Sequence, residues 1–315
     1  MLGACKKKSP AIDKAKLARL LRDVPGLQAV PEDARLVISA DVTTLKKSVL
    51  VKRMVRQMLL RDPGLRGEFN KLSETCEFDI EKDLKHVVIA MGQEQVLAVA
   101  TGRFIQSDIA SCLNRDARAS GSTFEAKQGE GHSYWFVEKR GYKRWLAVPE
   151  SNTLLMATSE KWLTKALSKP SSVLKNPAMA KLIGRVNHTA NLWGVSQVPA
   201  KIGANLTKIT GGQVKNPPRA LRFTMELLGG INFRLDAMMA SAEDAKAVST
   251  FIDLTLKLAK SWNLDKLAAK VKTTVKADAV TIRLDATLEE IKGTLSLIDR
   301  KAPHKQDKPG SEPRN

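Results

Sequence analysis

A chain of 315 residues with 43% hydrophobic content can bury one large core or two smaller ones. No run of about 18 continuous apolar residues occurs, which excludes a membrane-spanning helix at the level of sequence. The formal net charge of +19 points to anionic partners, whether nucleic acid, anionic lipid, lipopolysaccharide or acidic wall polymer, while 5% aromatic content is thin for stacking on single-stranded bases.

The chain opens Met1-Leu2-Gly3-Ala4-Cys5, followed by Lys6-Lys7-Lys8-Ser9-Pro10. A branched apolar residue, two small residues and a cysteine resemble the processing box of bacterial lipoproteins. There a peptidase closes around extended backbone and the cysteine takes the lipid, so Cys5 is the expected lipidation site. The charged and apolar regions of a secretory signal do not precede it here, and the expectation is a start placed late or a trimmed chain. Leu2 after the Met does not fit N-myristoylation.

From Lys6 to Asp23 the basic residues Lys6, Lys7, Lys8, Lys14, Lys16, Arg19 and Arg22 stand against only Asp13 and Asp23. Leu17, Leu20, Leu21 and Val24 fall on one helical face with Lys14, Arg19 and Arg22 opposite. Acyl chains plus a polybasic segment hold a protein at a bilayer far better than one chain alone. The same pattern equally describes a short helix that docks on the body with its basic face in water.

Beyond a Gly/Pro break (Pro25, Gly26, Pro31), residues 35–41 read as a strand and 43–60 as a helix, with a second helix over 65–76 after Asp62-Pro63-Gly64. A β-hairpin followed by a helix then recurs four times: 86–91, 95–101 and 107–114; 142–148, 152–157 and 159–167; 221–227, 231–239 and 242–262; 270–276, 280–285 and 288–300. In the last unit Val271, Thr273 and Val275 alternate with Lys272, Thr274 and Lys276, and Val280, Ile282 and Leu284 with Thr281, Arg283 and Asp285. Period 2 on both arms means one buried and one wet face. Gly229-Gly230 supplies the third hairpin's turn, and Thr287-Leu288-Glu289-Glu290 reads as a capping box.

These patterns predict an α+β fold of repeated hairpin–helix units, its antiparallel sheets covered by helices on one face, in two similar halves. The boundaries are 1–34 for the lipobox-like start, basic spacer and short helix, 35–170 for the N-terminal half, 171–300 for the C-terminal half and 301–315 for a polar, Pro-rich, disordered tail. Lys169-Pro170-Ser171-Ser172 marks the division, a strand over 190–195 opens the second half, and 209–218 reads as an exposed loop.

Chemistry is sparse. With Cys5 assigned to lipid, Cys76 and Cys112 remain, and in an oxidising compartment they are a candidate disulfide; two buried free thiols fit equally well. Neither the cysteines nor the scattered His86, His132, His188 and His304 have metal-ligand spacing, so no metal or other cofactor is expected. Ser172-Val173-Leu174-Lys175 matches Ser-x-x-Lys without its companion motifs, and Gly129-Glu130-Gly131 precedes no helix start. No Ser-His-Asp grouping emerges from spacing, and Asp236 and Asp285 read as solubilising residues on wet strand faces. The candidate anion-binding segment is Lys139, Arg140, Tyr142, Lys143, Arg144 and Trp145 at a hairpin tip, where cations interleave with aromatics. Lys46, Lys47, Lys52, Arg53 and Arg56, opposite Val51, Val55 and Met58, form a second basic face.

A strand ending in Ala40-Asp41, the run Asp79-Ile80-Glu81-Lys82-Asp83-Leu84 leading into a hairpin, and the helix start Ser241-Ala242-Glu243-Asp244-Ala245-Lys246 together resemble the uncharacterised envelope lipoproteins of Gram-negative bacteria. The likeness spans roughly 35–300 and implies no activity or functional residues. The expectation is a non-enzymatic, lipid-anchored cell-envelope protein facing the periplasm or surface, with a binding or scaffolding role. Its partners are the membrane, through the anchor and basic N-terminal segment, and an anionic envelope polymer or a protein. The alternatives are a cytosolic nucleic-acid-binding protein, should the lipobox match be accidental, and an enzyme with a dispersed site built from residues such as Asp41, Glu226 and Asp236.

Overall fold

The computed structural model describes residues 14–76, 78–129, 131–168, 172–199, 207, 210, 212, 214–259 and 265–293. Cys5 with its lysines, residues 169–171 of the expected division and the C-terminal tail lie outside these.

The strands, in chain order, are β1 (Leu36–Asp41), β2 (Leu84–Met91), β3 (Val96–Gly102), β4 (Thr123–Gly129), β5 (His132–Lys139), β6 (Tyr142–Glu150), β7 (Thr153–Ala157), β8 (Leu192–Gln197), β9 (Ala220–Glu226), β10 (Gly230–Met238), β11 (Val271–Lys276) and β12 (Ala279–Thr287). They form a single antiparallel sheet in the order β11-β12-β10-β9-β8-β1-β2-β3-β7-β6-β5-β4. The seam between the N- and C-terminal portions is the β1–β8 ladder, with Val37 opposite Val195 and Ser39 opposite Trp193.

The helices are α1 (Lys14–Asp23), α2 (Val42–Leu45), α3 (Val49–Arg61), α4 (Pro63–Cys76), α5 (Ile80–Asp83), α6 (Gln106–Ser120), α7 (Glu160–Leu167), α8 (Pro177–Ile183), α9 (Ala242–Ala259) and α10 (Asp265–Ala268). Local chemistry sets their starts. Ser159 Oγ accepts from Trp162 N, and Asn176 Oδ1 accepts from Ala178 N and Met179 N with Pro177 at the first helical position. The single helix expected over 43–60 is broken into α2 and α3, because Ser48 accepts from Val51 N and donates to Leu227 O, which restarts the helix. Among the described residues, no helix is long and apolar enough to cross a membrane.

In the N-terminal portion helices cover both faces of the sheet rather than one, whereas past β8 the described helices cover a single face, as the sequence pattern predicts. On the first face Val37, Val88, Leu97, Val99, Leu155, Trp193 and Val195 pack against Leu20 of α1 and Val24 just beyond it, Trp162 and Leu163 of α7 and Met179 and Ile183 of α8. Side chains one residue out of phase occupy the other face. There Ala100, Trp135, Leu146 and Val148 join Ile109 and Leu113 of α6, and Ala237, Val280 and Ile282 join Ala245, Val248 and Phe251 of α9. Each fully buried large side chain, Trp162 and Trp193 foremost, contributes about 1.5–3 kcal/mol.

Of the two readings of the N-terminal helix, the structure shows the docked one: Leu20 of α1 and Val24 just after it are buried, which leaves Arg19 and Arg22 to solvent. One sequence expectation changes here. Within 209–218, expected as an exposed loop, Thr210 and Val214 are buried, Val214 in the α9 core.

Candidate functional site

The first sheet face changes character along the strand order. In the N-terminal portion it is apolar and covered. Past β8 the in-phase residues are Arg222 and Thr224 on β9, Asn232, Arg234 and Asp236 on β10, Thr281, Arg283 and Asp285 on β12, and Lys272 and Thr274 on β11, in direct cross-strand register. Their out-of-phase neighbours Leu221, Ala237, Val280 and Ile282 serve the α9 core, so pairing forces these polar chains together on the opposite side.

They line two adjoining concavities. One of about 180 Å³ lies beside Arg185, Asn187, Arg222 and Asp236. The other, of about 770 Å³, extends over Asn232, Lys270, Lys272, Arg283 and Asp285. Asn187, Thr224 and Arg234 border both.

Asp236 organises the narrow end. Its carboxylate accepts from Arg222 Nη2 at 3.1 Å, Arg234 Nε at 3.1 Å and Thr281 Oγ1 at 2.7 Å. Burial alone would raise its pKa. The hydrogen bonds from Arg234 and Thr281 and the charges of Arg234 and Arg222 outweigh that and hold it below the ordinary carboxylate range. Asp236 is therefore 8% exposed and saturated, not the solubilising surface group its strand position implies. At the wide end Glu290 is tied to Lys270 at 2.7 Å and to Thr287 N at 2.9 Å.

The hairpin-tip residues do not form one surface. Arg140 and Gly141 take positive φ (52° and 80°) as a type I′ turn between β5 and β6. Lys139 lies 3.4 Å from Asp116 on α6, Lys143 lies 4.0 Å from Glu138, and Trp145 packs on Phe136 at 5.1 Å. Period 2 sends Tyr142 and Arg144 to one face and Lys143 and Trp145 to the other. Among the described aromatics Tyr142 alone is widely exposed, at 70%. On the second basic face, Lys46 Nζ donates to Glu81 O, while Met54, Met58 and Leu60 of α3 are exposed beside Lys52 and Arg56.

Asp41, Glu226 and Asp236 are each otherwise engaged. Asp41 caps α2, accepting from Thr44 N at 3.1 Å and Thr44 Oγ1 at 2.6 Å; Glu226 accepts from Asn191 N. Sequence spacing gave no hint that Ser39, Asp41 and His86 are neighbours. The β1–β2 ladder places Asp41 opposite His86, and His86 Nε2 lies 2.8 Å from Ser39 Oγ. Ser39 is 1% exposed, which closes it to any substrate, so this grouping holds strands in register. Cys76 and Cys112 are bonded to each other, with Cα atoms 4.8 Å apart, joining α4 to α6. Ser172 Oγ accepts from Leu174 N as a turn cap. Among the described residues no group of three His, Cys, Asp or Glu could hold a metal ion.

The acidic turn before β2 has a physical account. Asp79 caps α5 through Glu81 N and Lys82 N, while the buried Asp83 receives Asp79 N and Arg103.

No protein-family model matches the chain, and no curated protein matches it. Among solved structures, crystal form IV of TP0453 is similar, with a TM-score of 0.51 at 14% identity, covering 88% of this chain and 98% of that one; the likeness is one of fold.

Proposed function

We propose that this is a non-enzymatic, lipid-anchored protein of a bacterial cell envelope, whose body binds or scaffolds an anionic partner. The carrying observation is Leu2-Gly3-Ala4-Cys5 set directly before three lysines, a lipid attachment site followed by a basic spacer. A bonded Cys76–Cys112 pair supports an oxidising compartment, where such bonds persist. Arg19 and Arg22 of α1 stay exposed while Leu20 is buried in the core, so membrane attraction through this helix is electrostatic rather than insertive. The cation-lined groove past β8 supports the anionic partner.

The body is read as two related halves built of repeated hairpin–helix units. In support, β1-β2-β3 and β8-β9-β10 run outward from the β1–β8 seam in mirrored order. β7 then adds to β3 after α6, as β12 adds to β10 after α9.

Intact mass of native protein tests the anchor: loss of residues 1–4 and acylation at Cys5 is the expected result. Native protein that partitions wholly into the aqueous phase of a detergent separation, with the Cys5 thiol still alkylatable, overturns it.

A further inference from the structure

The register of β11, β12 and β10 places Lys272 opposite Arg283 and Arg283 opposite Arg234. Three cations thus stand in one row across neighbouring strands, about 5 Å apart per step. Like charges directly opposite one another in a sheet are destabilising. Arg234 is relieved by Asp236. Among the described residues Lys272 and Arg283 make no ion pair or side-chain hydrogen bond, although Asp285 lies one step along the same face. The surrounding concavities carry six cations (Arg185, Arg222, Arg234, Lys270, Lys272, Arg283) against three carboxylates, Asp236, Asp285 and Glu290. Asp236 and Glu290 are already neutralised by arginine and lysine partners, which leaves positive charge in surplus at the middle of the row.

We infer that this groove is a phosphate-binding site in which Arg283 and Lys272 clamp the anion, with Arg234 at its flank and the neutral donors of Asn187, Thr224 and Asn232 on the walls. Arginine's planar fork suits bidentate contact with phosphate oxygens, and lysine adds a point charge. A groove of about 770 Å³ exceeds a bare phosphate, so the ligand is a phosphate group carried on a larger body. The inference rests on the reading of the body as an anion-binding module and names where and what it binds; it stands apart from the lipid anchor.

Calorimetric titration of the full chain with inorganic phosphate at low ionic strength tests the site, and co-sedimentation with phosphatidylcholine vesicles, with and without phosphatidic acid, separates a lipid headgroup from a soluble phosphate. Saturable phosphate binding should weaken at least about tenfold in the double variant Lys272→Thr/Arg283→Thr. The control Lys276→Thr, on the same strand but outside the groove, should bind as the parent does. Arg283→Gln, which keeps chain length, gives the same reading should the double variant fold poorly. Dependence of sedimentation on both phosphatidic acid and these two cations identifies the headgroup; response to phosphate alone identifies a soluble ligand. Undiminished binding in the variants, or failure of the parent to saturate, overturns the site. Binding of anionic vesicles that is indifferent to the double substitution sinks the groove and leaves the anchored, anion-binding reading in place.

Discussion

Asp83 Oδ1 lies 2.8 Å from Arg103 Nη2, and this contact locks the acidic turn before β2 to the end of β3. The aspartate is buried at 4% exposure, whereas the arginine side chain is 74% exposed. Asp83 Oδ2 also accepts Asp79 N at 2.9 Å, and its backbone oxygen accepts Arg103 N at 2.9 Å. Asp83→Ala removes the acceptor for a turn amide and for a guanidinium at once. The expected loss is about 1–3 kcal/mol in urea unfolding. Arg103→Ala should cost a similar amount, because it strips both guanidinium donors from Asp83 Oδ1 and leaves a buried carboxylate oxygen unpaired. A cost under about 0.5 kcal/mol for both substitutions would show that this pair does not anchor the turn.

Acid should loosen the β1–β2 ladder through His86. Burial lowers the pKa of this imidazole from its ordinary 6.5, the charge of Asp41 opposing. A depressed folded pKa means the neutral ring is what the folded state favours. Its contribution is complete above the unfolded value near 6.5 and is lost as pH falls through the lower folded value. Stability should therefore decline below about pH 6.5 with a slope of up to about 1.4 kcal/mol per pH unit from this group. His86→Gln retains a partner for Ser39 and should flatten that part of the profile. A profile unchanged by the substitution between pH 5 and 6.5 would assign the acid sensitivity elsewhere.

How far the residues announce this fold depends on whether a strand has one wet face. In β11 and β12 the period-2 pattern is clean, because Val280 and Ile282 face the α9 core and Arg283 and Asp285 face water. Sequence patterning does not announce β4 or β5. On β4, an edge strand, Phe124 is the lone apolar residue packed into a core. In β5 the consecutive Tyr134, Trp135 and Phe136 are all buried because both faces are covered, which erases the alternation. The groove was hidden for a different reason. Lys272, Arg283 and Arg234 become neighbours only through strand register, and no local motif encodes which wet faces of separate hairpins will share a side.

The Cys76–Cys112 bond closes a separation of 36 residues that includes β2 and β3. Constraining the unfolded chain over a loop of that size is worth about 3–4 kcal/mol in the chain-entropy description. Alkylation under denaturing, non-reducing conditions should leave both sulfurs unlabelled. Prior reduction should expose both and lower the unfolding midpoint. Labelling of either cysteine without reductant would mean the native protein holds free thiols.

The β11–β12 turn offers a stabilising change. Ala277 sits at φ 52° between Lys276 and Asp278, a left-handed conformation in which Cβ crowds the following carbonyl. The cost for an L-residue there is roughly 1–2 kcal/mol, and glycine avoids it at the expense of a more flexible unfolded chain. Ala277→Gly should thus gain about 0.5–1 kcal/mol net, read as a higher urea midpoint at an unchanged slope. Because the same turn fixes the register that puts Lys272 opposite Arg283, phosphate affinity should hold or improve with it. A loss of stability on introducing glycine would show that the alanine methyl makes a contact worth more than the backbone strain it causes.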